Sequence, residues 1–569
     1  MANIEIDGQA LQANSGEMII EVADRVGSYI PRFCYHKKLS IAANCRMCLV
    51  EVEGAPKAMP ACATPVADGM KVMTQSAKAL QAQRDIMEFL LINHPLDCPV
   101  CDQGGQCELQ DLAVGYGEGV SRYYQGKRSV KDKDIGPLIA TEMTRCIHCT
   151  RCIRFGTEVA GVQALGLTGR GEQTQVGTYV PQLLHSEVAG NIIDLCPVGA
   201  LNAKPSTKQG RAWHLTQHAG VALHDCLASP VYWHTDRDDS GQSRIVQTVP
   251  RPDKMGNDCW ISDRDRFSYL GLKSPARLTS PMIKKQDVWC EVSWQEALTQ
   301  VASVVESVVA EENGGDNIAA LASPNASMES LYMLQKLWRA LGSSHLDHRI
   351  RRRDFSQQLC DDLVPRMSCT LDDVSDMHLM WLVDCDLPRE CPVLGLHVRE
   401  ATRKGGKVLT TNTADYAYPM PIENQTYSSL QNLPSFLASV LKACYDKAKT
   451  SPSKEDTGFL KGIKVNDETK RIAESLFDAE RVGILSGLSL QSSDQYGILV
   501  ALIQRIASVV NASVGELTHG VNAAGAAAVG FLPHRGPGGK FLEHVGMDVA
   551  SLAITDKKVL CLLGFEPGH

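Results

Sequence analysis

The chain lacks any apolar run approaching the length a bilayer needs, so its sequence predicts no membrane-spanning helix. It also lacks a basic excess. The formal net charge is −8 and the isoelectric point about 6.1, and no Lys- or Arg-rich arm gathers phosphates, which argues against nucleic-acid binding. Its start, MANIEIDGQ, has neither the basic and apolar regions of a signal peptide nor the Arg- and Ser-rich character of a transit peptide. A reducing, cytosol-like compartment is therefore expected. No GxGxxG nucleotide fingerprint occurs, and GPGGK at 536–540 is not a P-loop because His534 stands where the first glycine belongs. What the chain does have is cysteine in an uneven distribution. Eleven of 20 cysteines precede residue 200 at tight spacings, and nine are scattered after it. In a chain with no secretion signal, thiolates at three- and four-residue intervals point to metal ligands more than to disulfides.

The dense cysteines fall into three sets. Cys34, Cys45, Cys48 and Cys62 follow C-x10-C-x2-C-x13-C, a variant of the plant-type layout in which one loop folds over a two-iron cluster; a four-cysteine zinc site has the same donors. Residues 3–6 and 47–53 read as strands and 17–26 as a helix, which suggests a small β-grasp-like unit around that loop. His94, Cys98, Cys101 and Cys107 follow a helix expected over 81–93, whose apolar residues Ile86, Phe89 and Leu90 recur at helical spacing. Their H-x3-C-x2-C-x5-C pattern fits a zinc site or a cubane with one imidazole. Imidazole in place of a thiolate makes the ligand set less negative, as in Rieske centres, where it raises the potential. Gly104 and Gly105 allow a tight turn there. Cys146, Cys149 and Cys152 form C-x2-C-x2-C, in which one short loop holds three corners of a cubane. Gly156 occupies the place of the fourth cysteine in the two-cluster ferredoxin pattern, so the fourth ligand must come from elsewhere. Cys196, after the apolar turn NIIDL, is the choice over Cys391, whose Pro392 reads as a helix start. His36, Arg46 and His148, close to these ligands, are expected at the surface.

From about 275 onward strands and helices alternate, with strands expected at 317–322, 378–383, 407–411, 482–486 and 558–563 and helices at 328–341 and 494–508. Ser293 and Glu296 form a capping box ahead of an amphipathic helix, ALTQVASVVESVVAE. Arg349, Arg351, Arg352 and Arg353 read as a solvated or ion-paired face. The final VLCLLGFEPGH reads as a strand and its loop, after which an α/β domain is expected to supply another helix.

The runs FCYHKKLSIAANCRMCLVEVEG, EFLLINHPLDCPVCDQGGQCELQD, MTRCIHCTRCIRF and GNIIDLCPVGALNAKP resemble the large iron-sulfur subunit of NADH-quinone oxidoreductase, respiratory complex I: the G subunit of bacteria, the 75 kDa subunit of mitochondria. The motifs cover about the first 210 residues, and a looser resemblance continues to the end, beyond which family members run on. The resemblance implies an α+β and α/β multidomain chain. A β-grasp 2Fe-2S ferredoxin-like domain (1–78) precedes a 4Fe-4S domain ligated by one His and three Cys (79–120) and a 4Fe-4S ferredoxin-like domain (137–212). A small molybdopterin-oxidoreductase domain without a cluster (215–271) leads into a molybdopterin-oxidoreductase-like α/β body (272–569). It implies one 2Fe-2S cluster on Cys34, Cys45, Cys48 and Cys62, a 4Fe-4S cluster on His94, Cys98, Cys101 and Cys107, and a second on Cys146, Cys149, Cys152 and Cys196. Some relatives carry an additional cubane near 226; this chain offers only Cys226 and Cys259, read as packed thiols. No molybdopterin and no catalytic residue are expected. The chain would relay electrons from NADH, through FMN on a partner subunit, toward quinone, in a complex that translocates protons. It would lie peripherally on the cytoplasmic side of the bacterial inner membrane, against the flavin-bearing NADH-binding subunit and the subunits carrying clusters toward quinone. An NAD-linked formate dehydrogenase α subunit or an iron hydrogenase built on the same modules is the alternative. The first is opposed by the absence of a Cys-His-Arg metal-ligand motif, the second by the absence of further cysteine-rich motifs. A zinc-stabilised scaffold is the reading from another class.

Overall fold

The computed structural model describes residues 1–179, 183–238, 241–253, 258–359, 362, 364–365 and 367–565. Its chain divides into two compact units. The first comprises Met1–Ala219, Tyr232–Val249 and Ile261–Phe267; the second comprises Gly220–Val231, Pro250–Trp260 and Ser268–His569.

In the first unit, β1 (Ala2–Ile6), β2 (Gln9–Ala13), β3 (Leu49–Val52), β4 (Met59–Pro60) and β5 (Lys71–Met73) form a sheet of order β2-β1-β5-β3-β4, with β1 and β5 parallel. Helix α1 (Ile19–Arg25) packs Ile19, Ile20, Val22 and Ala23 onto the alternating inward residues Ile4, Ile6, Val50 and Val72. A strand buries every second side chain and a helix one stripe, so one sheet face and one helix stripe close a small core, the expected β-grasp arrangement. Cys48 and Cys62 lie in that core. Helix α2 (Ala77–Leu91) starts at the Ser76 cap, which accepts the Ala79 N–H, four residues earlier than the apolar spacing predicts. It buries Ala79, Gln83 and Met87, and Phe89 stays 70% exposed. A polar residue can take a core position here because Gln83 Nε2 donates to the Leu49 carbonyl at 2.9 Å.

The α/β reading holds in the second unit. A five-stranded parallel sheet runs Asn424–Tyr427, Lys407–Asn412, Leu379–Val383, Val482–Ser486, Ser513–Glu516. Leu379–Val383 and Val482–Ser486 are buried at every position, as strands covered on both faces must be. Helices Leu433–Ala448, Asp467–Asp478 and Tyr496–Val510 close one core around Trp381. Helix Pro392–Arg403 begins on its proline, as read, and contributes to a second core. A smaller parallel sheet sets Ile318–Ala322 between Leu346–Asp347 and Val559–Leu563.

Two local expectations change. Ser293 caps the helix Trp294–Val309 by accepting the Glu296 N–H at 3.2 Å, but the Glu296 carboxylate pairs with Lys285 and does not close the box. The apolar stripe of that helix also stays largely open: Leu298 is 59% and Val301 57% exposed, and Val308 is buried. Within the arginine cluster Arg349 is ion-paired and stacked, Arg352 is stacked, and Arg351 and Arg353 are exposed, in keeping with a solvated or ion-paired face. Arg349 binds Asp347 at 2.9 Å and lies over Phe355, as does Arg352. Segment 215–271 supplies a three-stranded sheet, Thr216–Val221, Pro230–Arg237 and Ser243–Pro250, and the unit boundaries fall within these strands. No helix among the described residues is long and apolar enough to cross a membrane.

Candidate iron-sulfur sites

The first unit contains all three candidate ligand sets. Cys34, Cys45, Cys48 and Cys62 are buried together in the loops between α1 and β3 and after β4. Cys34 N–H donates to Cys45 Sγ at 3.4 Å. Hydrogen bonds from Cys45 and Cys62 push the Cys34 thiol down, and one from Cys62 pushes Cys48 down; Cys45 and Cys62, the donors, are pushed up. The loop carries backbone strain, with Ala43 at φ 51° and Arg46 at φ 59°. Left-handed non-glycine residues cost on the order of 1 kcal/mol each and persist where a loop is bent around something. Arg46 itself is exposed, as expected, whereas His36 is half-buried, and its Nδ1 accepts the Lys38 N–H at 3.2 Å.

In the second set Cys101 and Cys107 are buried, His94 is half-buried and Cys98 is exposed. Burial pushes the His94 pKa down to about 4, with Lys127 adding to the effect and the Arg145 backbone partly offsetting it. The imidazole is thus neutral at pH 7, the form that binds metal, and its Nδ1 is buried with no hydrogen-bond partner. Lys127 Nζ donates to the Leu91 and Ile92 carbonyls at 2.8 and 2.9 Å and so ends helix α2 just before the histidine. Arg145, 6% exposed, connects the set: its Nε reaches Asp97 at 3.0 Å, its Nη1 the Gly199 carbonyl at 3.3 Å, and its charge lies close to Cys101. The space around the thiols is guarded by glycine. A Cβ on Gly199 would come within 2.2 Å of Cys101 Sγ, and one on Gly105, at φ 89°, within 2.5 Å of the Trp213 ring.

Cys149, Cys152 and Cys196 are buried and Cys146 is half-buried, and each of the four thiols feels the charge of others in the set. Burial pushes Cys146 up to about 11 and Cys149 and Cys196 up to about 12. The structure thus brings Cys196, at the end of helix Asn191–Leu195, to the C-x2-C-x2-C loop. His148 and Thr150 in that loop are left-handed, at φ 54° and 60°. His148 is half-buried, not at the surface: its N–H donates to Cys146 Sγ at 3.4 Å and its Nε2 lies 3.4 Å from Arg128. Gly156 lies in a wide helical turn, Phe155–Ala160, where a Cβ would meet the Val162 carbonyl at 2.8 Å. A cysteine would not fit there.

Sequence reasoning missed the arginines that tie the sets together. Arg151, beside Cys152 and only 5% exposed, reaches one residue flanking each of three other candidate ligands. Its Nη1 donates to Glu108 Oε1 at 2.7 Å and to the Leu195 carbonyl at 3.4 Å, and its Nη2 to the Tyr35 carbonyl at 3.1 Å. These residues adjoin Cys107, Cys196 and Cys34. Arg154 donates to the Cys34, Cys149 and Ser40 carbonyls, and Asn44 Nδ2 to the His148 carbonyl at 3.1 Å. The only signal in the sequence was arginine interleaved with the third cysteine set, RCIHCTRCIR. Cys107 Sγ donates to the Pro197 carbonyl at 3.7 Å, so the second set also reaches the backbone that follows Cys196.

These donor sets suit iron-sulfur clusters: four, three and four soft thiols, most of them buried, one neutral imidazole completing the set of three, strained loops, and a glycine, Gly199, where a side chain would strike the Cys101 sulfur. Among the described residues no group of three or more His, Cys, Asp or Glu is placed to hold a single metal ion. A cluster spreads its ligands over several irons.

Family models match in chain order. The 2Fe-2S iron-sulfur cluster binding domain covers 1–77, the NADH-ubiquinone oxidoreductase-G iron-sulfur binding region 83–122, and the ferredoxin-like domain of NADH-quinone oxidoreductase subunit 3 covers 136–202. Molybdopterin oxidoreductase covers 277–564. The NADH-quinone oxidoreductase G subunit of Rickettsia felis is 42% identical over 71% of this chain and 58% of its own length. The NADH-ubiquinone oxidoreductase 75 kDa subunit of Reclinomonas americana is 38% identical over 78% of this chain and 63% of its own. A solved chain of an NAD+-reducing NiFe-hydrogenase is 27% identical over 37% of this chain and 90% of that one, with a TM-score of 0.34. The chain spans about three-fifths of the length of the curated relatives it matches. With a molybdopterin-oxidoreductase body behind 2Fe-2S and 4Fe-4S binding domains, the chain belongs to the family of the bacterial G subunit and the mitochondrial-type 75 kDa subunit of NADH-quinone oxidoreductase.

Proposed function

We propose that this chain is an electron-carrying subunit of a proton-translocating NADH-quinone oxidoreductase, peripheral to the cytoplasmic face of a bacterial inner membrane. It takes electrons originating from NADH through FMN on the flavin-bearing partner and delivers them to the partners that carry clusters toward quinone. The domain bounds 1–78, 79–120, 137–212, 215–271 and 272–569 belong to this reading. So do one 2Fe-2S cluster on Cys34, Cys45, Cys48 and Cys62 and two 4Fe-4S clusters, on His94, Cys98, Cys101 and Cys107 and on Cys146, Cys149, Cys152 and Cys196. No molybdopterin is bound, and the chain has no catalytic residue of its own.

The observation that carries the reading is the meeting of the three donor sets at Arg151 within one unit. When bound, iron-sulfur clusters supply one-electron carriers whose potentials follow ligand type, hydrogen bonds, charge and burial. The residues of this chain supply those controls. His94 offers a neutral donor where the other sets offer only thiolates, and the Arg145, Arg151 and Arg154 guanidinium groups balance thiolate charge. Backbone N–H groups at Cys34 and His148 donate to ligand sulfur. Burial excludes water from most of the thiols.

Iron, sulfide and zinc content with low-temperature EPR of the anaerobically purified, reduced protein tests this. About ten irons per chain, with two-iron and four-iron signals, are expected. Gly199→Ala, which drives a methyl group onto Cys101 Sγ, should lose about four irons and one four-iron signal. Zinc in place of iron in the intact complex, or about fourteen irons, would overturn the assignment.

A further inference from the structure

The second unit holds a cavity of about 350 Å³ whose lining includes three of the scattered cysteines, Cys226, Cys369 and Cys391, among leucine, methionine and proline side chains. Cys226 lies in the loop Ala222–Ser229, closed by Ala222 N–H to the Ser229 carbonyl at 2.9 Å. Cys391 is the residue before Pro392, at the start of the helix Pro392–Arg403. Both pack in the same apolar cluster, Cys391 1% exposed and Cys226 partly open. The two thiols are hydrogen-bonded to each other, and the Thr518 backbone N–H also donates to Cys226. Cys226 is therefore more than the packed thiol its sequence context implies. Two donors favour negative charge on its sulfur, while burial and donation to Cys226 keep the proton on Cys391. Among the described residues Cys369, in the same cavity, has no thiol partner of this kind, and burial raises its pKa.

We propose that Cys226 and Cys391 form a dithiol site that reacts in this cavity with a low-molecular-weight organic disulfide of neutral or cationic character. The Cys226 thiolate attacks one sulfur of the disulfide, forming a mixed disulfide and releasing one small thiolate. Cys391 then gives up its proton to solvent and attacks Cys226 Sγ, forming the Cys226–Cys391 disulfide and releasing the second small thiolate. The released thiolates take up the protons lost by the cysteines, so two cysteine thiols are oxidised and one small disulfide is reduced to two thiols. The preference for neutral or cationic reagents follows from Glu516 and Asp372 in the lining and Asp225 beside the pair. The product pins the loop Ala222–Ser229 to the head of the helix Pro392–Arg403. Nothing in this site depends on the clusters of the first unit.

The test treats the full, cluster-loaded chain with cystamine or with glutathione disulfide. Remaining thiols are then alkylated, peptides mapped by mass spectrometry, and iron content followed to show that the clusters survive. A Cys226–Cys391 linked peptide is expected, with Cys226 consumed at least about tenfold faster than Cys369 and faster by cystamine than by glutathione disulfide. Cys391→Ser should trap the mixed disulfide on Cys226, and Cys226→Ser should leave Cys391 unmodified; Cys391→Ala serves where the serine variant fails to fold. Equal rates at Cys226 and Cys369, or a stable mixed disulfide in the unmutated chain, would overturn the proposal. So would preference for the anionic reagent.

Discussion

Arg151 brings a full positive charge to a position 5% exposed and directs its Nη groups to one carboxylate and two carbonyls. Removing a buried charge from such a set leaves its acceptors without a donor. Arg151→Met is expected to destabilise the first unit by about 3 kcal/mol, read from its urea midpoint. In the loaded protein it should lower the midpoint potential of at least one cluster by roughly 60 mV, the equivalent of tenfold for one electron. Arg151→Lys should retain part of the potential and little of the bonding, because ammonium cannot reproduce the planar fork. An unchanged potential in an EPR-monitored redox titration of Arg151→Met would leave the residue a purely structural tie. Asp263 gives a pH signature. Burial raises its pKa to about 6, although Gly190 N–H donates to it at 2.7 Å. The unfolded side chain titrates near 3.9, so between about pH 4 and 6 the folded state keeps a proton the unfolded state has lost. Stability from this group is therefore full below pH 4 and falls as pH rises through 6, by about 3 kcal/mol at most. Asp263→Asn should remove that fall. Urea midpoints of the two proteins should diverge progressively from pH 4 to about 7 and then run parallel.

At the scale of elements, the predicted strands of the second unit appear within one residue or so of their places; Leu379–Val383, covered on both faces, is written as an unbroken apolar run, whereas Val559–Leu563 is as apolar and stays half open. The helix Trp294–Val309 shows the limit of such reading. Its apolar period is real and its Ser293 cap is formed, yet Leu298 and Val301 face outward. Periodicity states which residues share a face and says nothing about what meets that face. Leu298→Glu is accordingly expected to change stability by less than about 0.5 kcal/mol while raising solubility, because it breaks an exposed apolar stripe. Thermal unfolding and a precipitation curve check both parts. A loss of several kcal/mol would mean that the face is covered. The cysteine loops obey a different logic. Two left-handed residues in each of the first and third sets, and the crowded Gly156 in the wide turn after Cys152, are backbone solutions that no apolar pattern encodes.

On the scale of the whole molecule, the two units are stabilised differently. The second has large apolar cores, one around Trp381 and another around Met380, Leu382 and Leu394. The first surrounds its ligand sets with a small β-grasp core and with arginine ties that lead to ligand-flanking backbone. Metal binding is coupled to folding wherever buried thiols must be deprotonated, and burial has already raised those of the third set. Removal of iron by a chelator under reducing conditions should therefore lower the unfolding temperature of the first unit. The transition of the second unit should stay within a few degrees of its place. Calorimetry that showed both transitions moving together would contradict this division.

The sequence by itself determined the chemistry and the parts list. The spacings of Cys34 through Cys152 and the His94 substitution were legible because candidate ligands on one short loop must be close in sequence. Strands and helices were legible because burial repeats with their geometry. Tertiary structure alone decided what lies between the parts. It delivered Cys196 to the third set across an interval of 44 residues, and it placed Arg151 where backbone from three regions meets. It also set Cys226 against Cys391 and left the stripe of Trp294–Val309 open. Such contacts join residues far apart in the chain, and local pattern carries no record of which distant surface will arrive.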